Sequence, residues 1–375
     1  MSENPDKKTL RVAMVLDTYD DARNGAVIST QRFTRLLREE GHKVFIVSTG
    51  TEEPDKVILK EFYPPVSMIK RIMQRMKFIF AWPDTKKLKD TFNQVDIIHS
   101  HFTFILGYKA IRIAKKLNKP IVSTFHVQAE QIANNVGLTN PWIIKLIYKI
   151  FISLFYNKSD LVICPSQFAA DEIKRYGCTA PTVIISNGVT NDYQDKHLEK
   201  YKRFTILTVG RNATEKRQEF LIKAVAQSKY KSQIDIQIIG DGPKRQELTE
   251  LADKLLPQQV EFNYLPTQQV IEYYNKANLY VHCAAVEVEC MTATEAMACG
   301  LPILIAESDL SATKQFALNK DFLFKTVEEL TAKIDYLFEH PQALEDAKIG
   351  YLKKVEQYRI ENSYKKLVET YKSLQ

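Results

Sequence analysis

The sequence has no apolar run long enough to cross a bilayer. A membrane-spanning helix needs about 20 consecutive residues that are almost all apolar, and no stretch of the 375 residues reaches that length without charges. Residues 1–8 also lack the apolar segment of a secretion signal. We therefore expect the chain to remain in the cytoplasm.

Signs of metal or disulfide chemistry are also absent. The five cysteines are odd in number, and none lies at the C-x-x-C spacing of a zinc site. No D-x-D motif follows a predicted strand, and no histidine and aspartate cluster has metal-ligand spacing. An odd set of cysteines without a disulfide pattern favours a reducing compartment. The sequence therefore predicts no metal and no resident cofactor.

Glycine and proline are few, at 12 and 14 residues, whereas hydrophobic residues make up 45% of the chain. This composition is typical of an ordered globular protein, and we find no internal repeat or low-complexity tract. At 375 residues, the chain is longer than a single hydrophobic core usually accommodates, so we expect two domains of about 150 to 200 residues each.

Short apolar runs alternate with amphipathic segments along the whole chain, which predicts βαβ units and parallel sheets. A helix is predicted over residues 30–41. The predicted strands are residues 10–16, 44–48, 96–99, 120–125, 161–164 and 182–185, then 205–209, 234–239, 260–262, 279–282 and 303–305. Residues 191–203 are polar and charged, which suggests an interdomain linker. The fold class is α/β, with one domain over 1–196 and a second over 197–357.

Two glutamates eight residues apart, Glu287 and Glu295, are the most informative feature. Glu295 begins a run of helix formers that Gly300 and Pro302 terminate, so Glu287 is predicted in the preceding loop. Backbone N–H groups at a helix N-terminus form a ready phosphate site, and a carboxylate on each side would bind hydroxyls. The alternative is that both glutamates are solvated surface residues.

The sequence from 279 to 306, a strand, the two glutamates, a short helix and a second strand, resembles the signature of the retaining GT-B glycosyltransferases of family 4. The resemblance implies a GT-B fold of two Rossmann-like domains that face a central cleft, with a C-terminal helix (358–375) crossing back to the first domain. It also implies that Glu295 binds the donor ribose and that Glu287 contacts the transferred sugar and has a catalytic role. The diphosphate would contact the backbone N–H groups of Cys290, Met291 and Thr292.

One departure from the family concerns the identity of the sugar. Many relatives have Phe-Gly where this chain has Glu289 and Cys290. An additional carboxylate beside the sugar pocket leaves the donor sugar open.

Two cations, Arg211 and Lys216, follow the predicted strand 205–209 and precede an amphipathic helix. Such a junction is a place where a phosphate binds, although two solvated cations are an alternative. The segment resembles the G-R-x4-K element of the family, which implies that both residues bind the donor diphosphate. Gly240 lies in a Gly-Asp-Gly-Pro turn that either approaches the nucleotide or simply ends a strand.

His126 directly follows the predicted strand 120–125. Ligands of open α/β sheets bind beyond the carboxyl ends of strands, although a histidine there can also be structural. The resemblance implies that His126 is catalytic and that Gly25 belongs to a loop near the donor phosphate and the acceptor. His99 and His101 match a family segment, which implies a structural, pocket-lining role.

The net charge of +7 is concentrated in two apolar segments without acidic residues. Residues 66–82 and 142–156 each combine cations, an apolar helical stripe and one of the two tryptophans, Trp82 and Trp142. Basic amphipathic helices with aromatic anchors suit an anionic membrane surface. For 142–156, packing in the core is an equal alternative. No nucleic-acid-binding motif accompanies the charge.

The resemblance implies an enzyme that transfers a hexose from a nucleotide sugar, UDP-glucose or UDP-galactose, with retention of configuration. The predicted acceptor is a lipid such as diacylglycerol, ceramide or a polyprenyl-linked glycan at the inner membrane face. A soluble or cell-surface polysaccharide is the alternative acceptor. In a different functional class, the chain would be a silent partner that binds a nucleotide sugar.

Overall fold

The computed structural model describes residues 9–21, 24–65, 70, 73, 78–135, 137, 138, 140–258 and 260–375. The described chain forms two compact units. The first contains residues up to Ile185 together with Tyr364–Gln375, and the second contains Ser186–Ser363. Each unit has its own parallel sheet.

The sheet of the first unit has seven parallel strands in the order β3-β2-β1-β6-β7-β8-β9. Their bounds are β1 Arg11–Thr18, β2 Lys43–Thr49, β3 Lys56–Ile58, β6 Ile97–Ser100, β7 Ile121–Thr124, β8 Leu161–Cys164 and β9 Thr182–Ile184. A separate antiparallel pair consists of β4 Lys60–Phe62 and β5 Phe80–Trp82. The central strands are buried along nearly their whole length, as expected for a parallel sheet with both faces covered.

The helices of the first unit connect these strands. They are α1 Gly25–Glu39, α2 Thr85–Asn93, α3 Ile105–Lys116, α4 Ala129–Asn135, α5 Pro141–Leu154 and α6 Gln167–Arg175. Helix α1 begins at Gly25, before the predicted start at residue 30, because the side chain of Asn24 caps it by accepting the N–H of Ala26 at 3.0 Å. Gly25 is therefore the first helical residue, and its place near the donor phosphate and the acceptor stays a prediction.

The sheet of the second unit has six parallel strands in the order β12-β11-β10-β13-β14-β15. Their bounds are β10 Phe204–Val209, β11 Ile234–Ile239, β12 Glu261–Asn263, β13 Leu279–His282, β14 Ile303–Ala306 and β15 Leu323–Phe324. The helices are α7 Glu219–Gln227, α8 Arg245–Leu255, α9 Thr267–Lys276, α10 Met291–Ala298, α11 Val327–Glu339 and α12 Pro341–Val355. The predicted α/β fold is confirmed.

The chain passes between the units twice. The predicted division lies after residue 196, but residues from Ser186 onward belong to the second unit. Val189 is fully buried there, and its N–H donates to the carbonyl of Tyr358 at 2.9 Å. Helix α13, Ile360–Lys372, starts in the second unit and ends in the first.

In both sheets the strand order changes direction beside the first strand of the unit, between β1 and β6 and between β10 and β13. Loops that leave the carboxyl ends of two such neighbouring strands diverge and leave a crevice between them, where ligands of α/β proteins bind. The loops that follow β10 and β13 contain Lys216 and Glu287, and those that follow β6 and β7 contain His101 and His126. This topology positions the candidate site residues.

Candidate active site

Lys216 and Glu287, separated widely in sequence, form an ion pair at the carboxyl ends of β10 and β13. Glu287 is 7% exposed, and the side chain of Lys216 is 23% exposed. Burial alone would raise the pKa of Glu287, but Lys216 and then His282 lower it below its ordinary value. Burial would lower the pKa of Lys216, and Glu287 raises it instead. The site therefore holds a charged pair at neutral pH.

His282, the last residue of β13, also faces Glu287. Its Nε2 lies 3.5 Å from Glu287 Oε1, and its Nδ1 lies 3.5 Å from Cys290 Sγ. Burial alone would lower the pKa of His282, but Cys290 and Glu287 raise it to about 9. The imidazole is therefore protonated at pH 7. Sequence reasoning missed His282, whose only signal was its position at the end of a predicted strand.

His282, Glu287 and Cys290 lie close together, and the atoms that they could offer to a metal lie within 4.8 Å of one another. The sequence spacing predicted no such cluster. However, the two imidazole nitrogens face different partners, and Lys216 is paired with the same carboxylate oxygen that His282 approaches. One metal ion would need a single imidazole nitrogen and no competing ammonium. The arrangement fits one carboxylate between two cations better than a metal site.

Helix α10 begins directly after the Glu287 loop. Cys290 is its N-cap residue, and Met291 and Thr292 form its first turn. The first N–H groups of a helix have no acceptor within the helix and favour a bound anion. Thr292 is held by the hydroxyl of Tyr280, which donates to its Oγ1 at 2.8 Å. The three predicted diphosphate-binding residues thus surround one helix start.

Glu295 lies inside α10 and is 6% exposed. Its Oε2 accepts a hydrogen bond of 3.3 Å from the hydroxyl of Tyr274. The alternative that Glu287 and Glu295 are solvated surface residues is therefore wrong, because both carboxylates are buried.

Glu289, the residue that departs from the family pattern, does not lie on the surface either. It is 6% exposed, and its Oε2 accepts the backbone N–H of Asn187 at 2.8 Å. This carboxylate ties the loop before α10 to the segment that enters the second unit.

The loop after β10 contains Arg211, which is partly buried, and its carbonyl accepts the side chain of Gln218 at 2.9 Å. Gly240 packs against this loop. A Cβ added to Gly240 would lie 1.9 Å from the carbonyl oxygen of Gly210, so only glycine permits the approach. The adjacent Asn212 is fully buried. Among the described residues, neither the nitrogen nor the oxygen of its side-chain amide has a hydrogen-bond partner.

His126 lies in the first unit beside two other histidines. Its Nε2 is 3.2 Å from His101 Nδ1, and the His101 ring also lies against that of His99, with centroids 4.1 Å apart and the rings tilted by 33°. Burial lowers the pKa of His126 to about 3, so the imidazole is neutral at pH 7. The hydroxyl of Tyr371, from the C-terminal helix, lies 2.6 Å from His99 Nδ1.

A threonine that sequence reasoning missed contacts the histidine cluster. Thr30 donates its hydroxyl proton to the carbonyl of Ala26 at 2.8 Å, and its oxygen lies 3.1 Å from His101 Nδ1. The other ring nitrogen of His101, Nε2, lies 3.4 Å from Met14 Sδ. Thr30 and Met14 therefore hold the His101 ring beside His126.

The two segments predicted to bind a membrane differ in what the structure describes. In α5, Trp142 is 78% and Leu146 is 56% exposed, on the same side as the exposed Lys145 and Lys149. The opposite side is buried through Tyr148, Phe151 and Ile152. Core packing therefore accounts for only one face of this helix.

Most of the segment 66–82 falls outside the described residues, including three of its cations, Arg71, Arg75 and Lys77. Lys70 and Met73 are helical, with Lys70 exposed and Met73 buried. Trp82 ends β5 and is 50% exposed. Within the described part of the chain, every helix is too short or too polar to span a membrane.

Comparisons with known proteins agree on one class. The sequence model of Glycosyltransferase Family 4 matches residues 23–193, and that of Glycosyl transferases group 1 matches residues 189–354. An alpha-monoglucosyldiacylglycerol synthase of Streptococcus pneumoniae is 25% identical across 79% of this chain and 70% of its own length. A GDP-mannose-dependent alpha-mannosyltransferase of Corynebacterium glutamicum is 24% identical across 79% of this chain and 72% of its own length.

Among solved structures, HepE of Anabaena, determined in complex with UDP and glucose, is similar over 97% of this chain and 100% of its own. The TM-score is 0.74 and the sequence identity is 17%. At that identity the similarity shows a shared fold.

Proposed function

The chain belongs to the family 4 glycosyltransferases and has the GT-B fold, and from this premise we propose that it is a retaining, metal-independent hexosyltransferase that glycosylates a membrane lipid. The donor is a nucleotide sugar, UDP-glucose or UDP-galactose. The observation that carries the proposal is the buried Lys216–Glu287 pair beside the N-terminus of α10. A cation, a carboxylate and free helix N–H groups are what a sugar diphosphate requires.

In this mechanism the diphosphate is the leaving group. As the glycosidic bond breaks, negative charge accumulates on it, and Arg211, Lys216 and the first turn of α10 stabilise that charge. Two side-chain cations and a helix N-terminus supply the charge compensation that a metal ion would otherwise provide. Donor binding requires Lys216 to turn from Glu287 toward the diphosphate. Glu287 then accepts a hydroxyl of the sugar, and Glu295 binds the ribose.

The acceptor hydroxyl attacks the sugar on the face that the diphosphate leaves, which retains the configuration at the anomeric carbon. The departing phosphate takes the proton, so no side-chain nucleophile is needed. His126 contributes as a neutral imidazole that hydrogen-bonds a hydroxyl of the reacting sugars. Its orientation is supported by the contact with His101.

A lipid acceptor is supported by two observations. The similar protein of Streptococcus pneumoniae is named for a diacylglycerol product. The exposed face of α5 combines Trp142 and Leu146 with two cations, as a helix in an anionic membrane interface does. We therefore propose peripheral binding to the inner face of the membrane through α5, together with segment 66–82.

Turnover with defined lipids tests the proposal. The purified protein is incubated with UDP-glucose, UDP-galactose or GDP-mannose and vesicles that contain diacylglycerol, ceramide or a polyprenyl phosphate, and products are identified by mass spectrometry. We expect a hexosyl lipid from a UDP-sugar, and none from Glu287→Ala. Glu272→Ala, whose side chain is 52% exposed on α9, is the matched control and retains activity.

Each alternative has its own signature in this experiment. Turnover with a soluble saccharide but no lipid would indicate a polysaccharide acceptor. Nucleotide binding without transfer or hydrolysis of any donor would indicate a silent partner. Product with GDP-mannose alone would refute the proposed donor.

Sedimentation with vesicles tests membrane binding separately. Each cation near an anionic surface contributes about 1 kcal/mol, so Lys145→Glu with Lys149→Glu is expected to weaken binding to phosphatidylglycerol vesicles by at least about tenfold. Lys365→Glu with Lys366→Glu, two exposed residues of α13, makes the same change of charge elsewhere in the first unit. Equal loss in both double variants would show that net charge, and not α5, drives the binding.

A further inference from the structure

Glu287 faces two cations, not one. The ammonium of Lys216 and the imidazole of His282 both approach the same oxygen, Oε1. Lys216 comes from the loop after β10, and His282 ends the adjacent strand β13. The two cations therefore approach from different elements, and one of them can leave while the other stays.

In the proposed function, on which this inference rests, Lys216 turns from Glu287 to the donor diphosphate, so Glu287 loses one of its two counter-ions. A carboxylate that is 7% exposed and loses its counter-ion either takes up a proton or changes position. In either case it would become a poor acceptor for a sugar hydroxyl.

We propose that His282 is a positioning residue, which keeps Glu287 ionised and oriented when Lys216 moves to the donor diphosphate. The strand fixes the backbone of His282, since Val281 and His282 pair in register with β14. Its ring lies nearly parallel to that of Tyr280, at 17° with centroids 6.3 Å apart. Because β13 holds His282 in the sheet, it cannot follow Lys216 to the phosphate.

The groups around His282 favour a positive charge on it. Cys290 and Glu287 face its two nitrogens from the α10 side, and the hydroxyl of Tyr280 lies 3.4 Å from Nδ1 on its own strand. Lys216 is the cation that faces the same carboxylate. The balance of these groups raises the pKa of His282 to about 9, above the ordinary value of 6.5.

The proposal predicts a pH dependence of defined sign. A raised pKa means that the imidazolium is present at pH 7 and is lost as the pH rises through about 9. Wild-type kcat/KM for the donor is therefore expected to fall above pH 9. In His282→Asn this alkaline fall disappears, and kcat/KM at pH 7 is reduced about tenfold or more.

UDP, the donor without its sugar, distinguishes a loss of Glu287 positioning from a general loss of structure in the His282 variants. UDP alone engages Lys216 and α10 but does not need Glu287, so its affinity for His282→Asn is expected to equal that of the wild type. His282→Gln serves as a second variant if His282→Asn does not fold. His197→Asn is the matched control, because His197 is 83% exposed and its φ of +50° suits asparagine.

Two results would overturn the role of His282. One is a His282 variant with wild-type kcat/KM at all pH values, and the other is a loss of UDP affinity as large as the loss of turnover. Absence of turnover in the wild type with every hexose nucleotide would instead refute the proposed function. The two failures are therefore distinguishable.

Discussion

Removing Glu287 is expected to destabilise the protein more than removing its partner Lys216. In Glu287→Gln, the ammonium of Lys216 and the imidazolium of His282 face a neutral amide. In Lys216→Met, the carboxylate keeps His282 as a counter-ion. The asymmetry arises because Glu287 keeps His282 when Lys216 is removed, whereas both cations lose their carboxylate when Glu287 is removed.

The magnitudes follow from the geometry. Removing one partner of a buried ion pair costs about 3–5 kcal/mol. The 3.5 Å between His282 and Glu287 gives about 5 kcal/mol of gross attraction at an effective dielectric constant of 20, which desolvation partly offsets. We expect Lys216→Met to cost about 1 kcal/mol and Glu287→Gln about 3 kcal/mol at pH 7, since His282 can lose its proton in the second variant.

Urea denaturation followed by far-ultraviolet circular dichroism measures the difference. Tryptophan fluorescence is unsuitable, because Trp82 and Trp142 both belong to the first unit. At pH 10 the imidazolium is lost, so Lys216→Met is expected to lose further stability relative to the wild type, and Glu287→Gln is not.

The matched control is the exposed pair Lys276 and Glu272 on α9. Lys276→Met and Glu272→Gln are each expected to change the unfolding free energy by less than about 1 kcal/mol. Equal costs for the two buried variants, or a greater cost for Lys216→Met, would refute the reasoning.

Two further predictions concern residues outside this ion pair. Thr30→Val removes the hydroxyl that contacts His101, so kcat is expected to fall about tenfold while UDP affinity stays unchanged. Steady-state kinetics and calorimetry check this, and an unchanged kcat would show that the contact of Thr30 with His101 does not support His126. Glu289→Gln keeps an acceptor for the backbone N–H of Asn187 and is expected to retain donor KM within about twofold. Glu289→Ala is expected to raise donor KM, to lower the unfolding free energy by about 1–3 kcal/mol and therefore to lower the melting temperature. A lower melting temperature without a change in donor KM would restrict Glu289 to a structural role.

The fold could be predicted because periodicity is a local property. The apolar runs at 205–209 and 279–282 marked β10 and β13, and Gly300 marked the end of α10. The start of α1 was predicted incorrectly, since the cap formed by Asn24 outweighs the weak helix propensity of Gly25.

The site could be predicted only in part. Glu287 and Lys216 were identified by resemblance, but their ion pair depends on strand order, which periodicity does not specify. Thr30 acts through His101, which is remote in sequence. His282 acts through the carboxylate of Glu287, whose other cation, Lys216, is remote in sequence. Single-sequence patterns contain no signal for such contacts.

The hydrogen bond between Glu289 and Asn187 has an evolutionary consequence. A branch of the family with phenylalanine at position 289 could not arise from this chain by one substitution without cost, because Asn187 would lose a buried acceptor. A compensating change near residues 186–189 would have to come first or at the same time. Because the donor is a backbone N–H, which every residue except proline has, relatives with an acceptor side chain at position 289 are expected to exclude only proline at position 187.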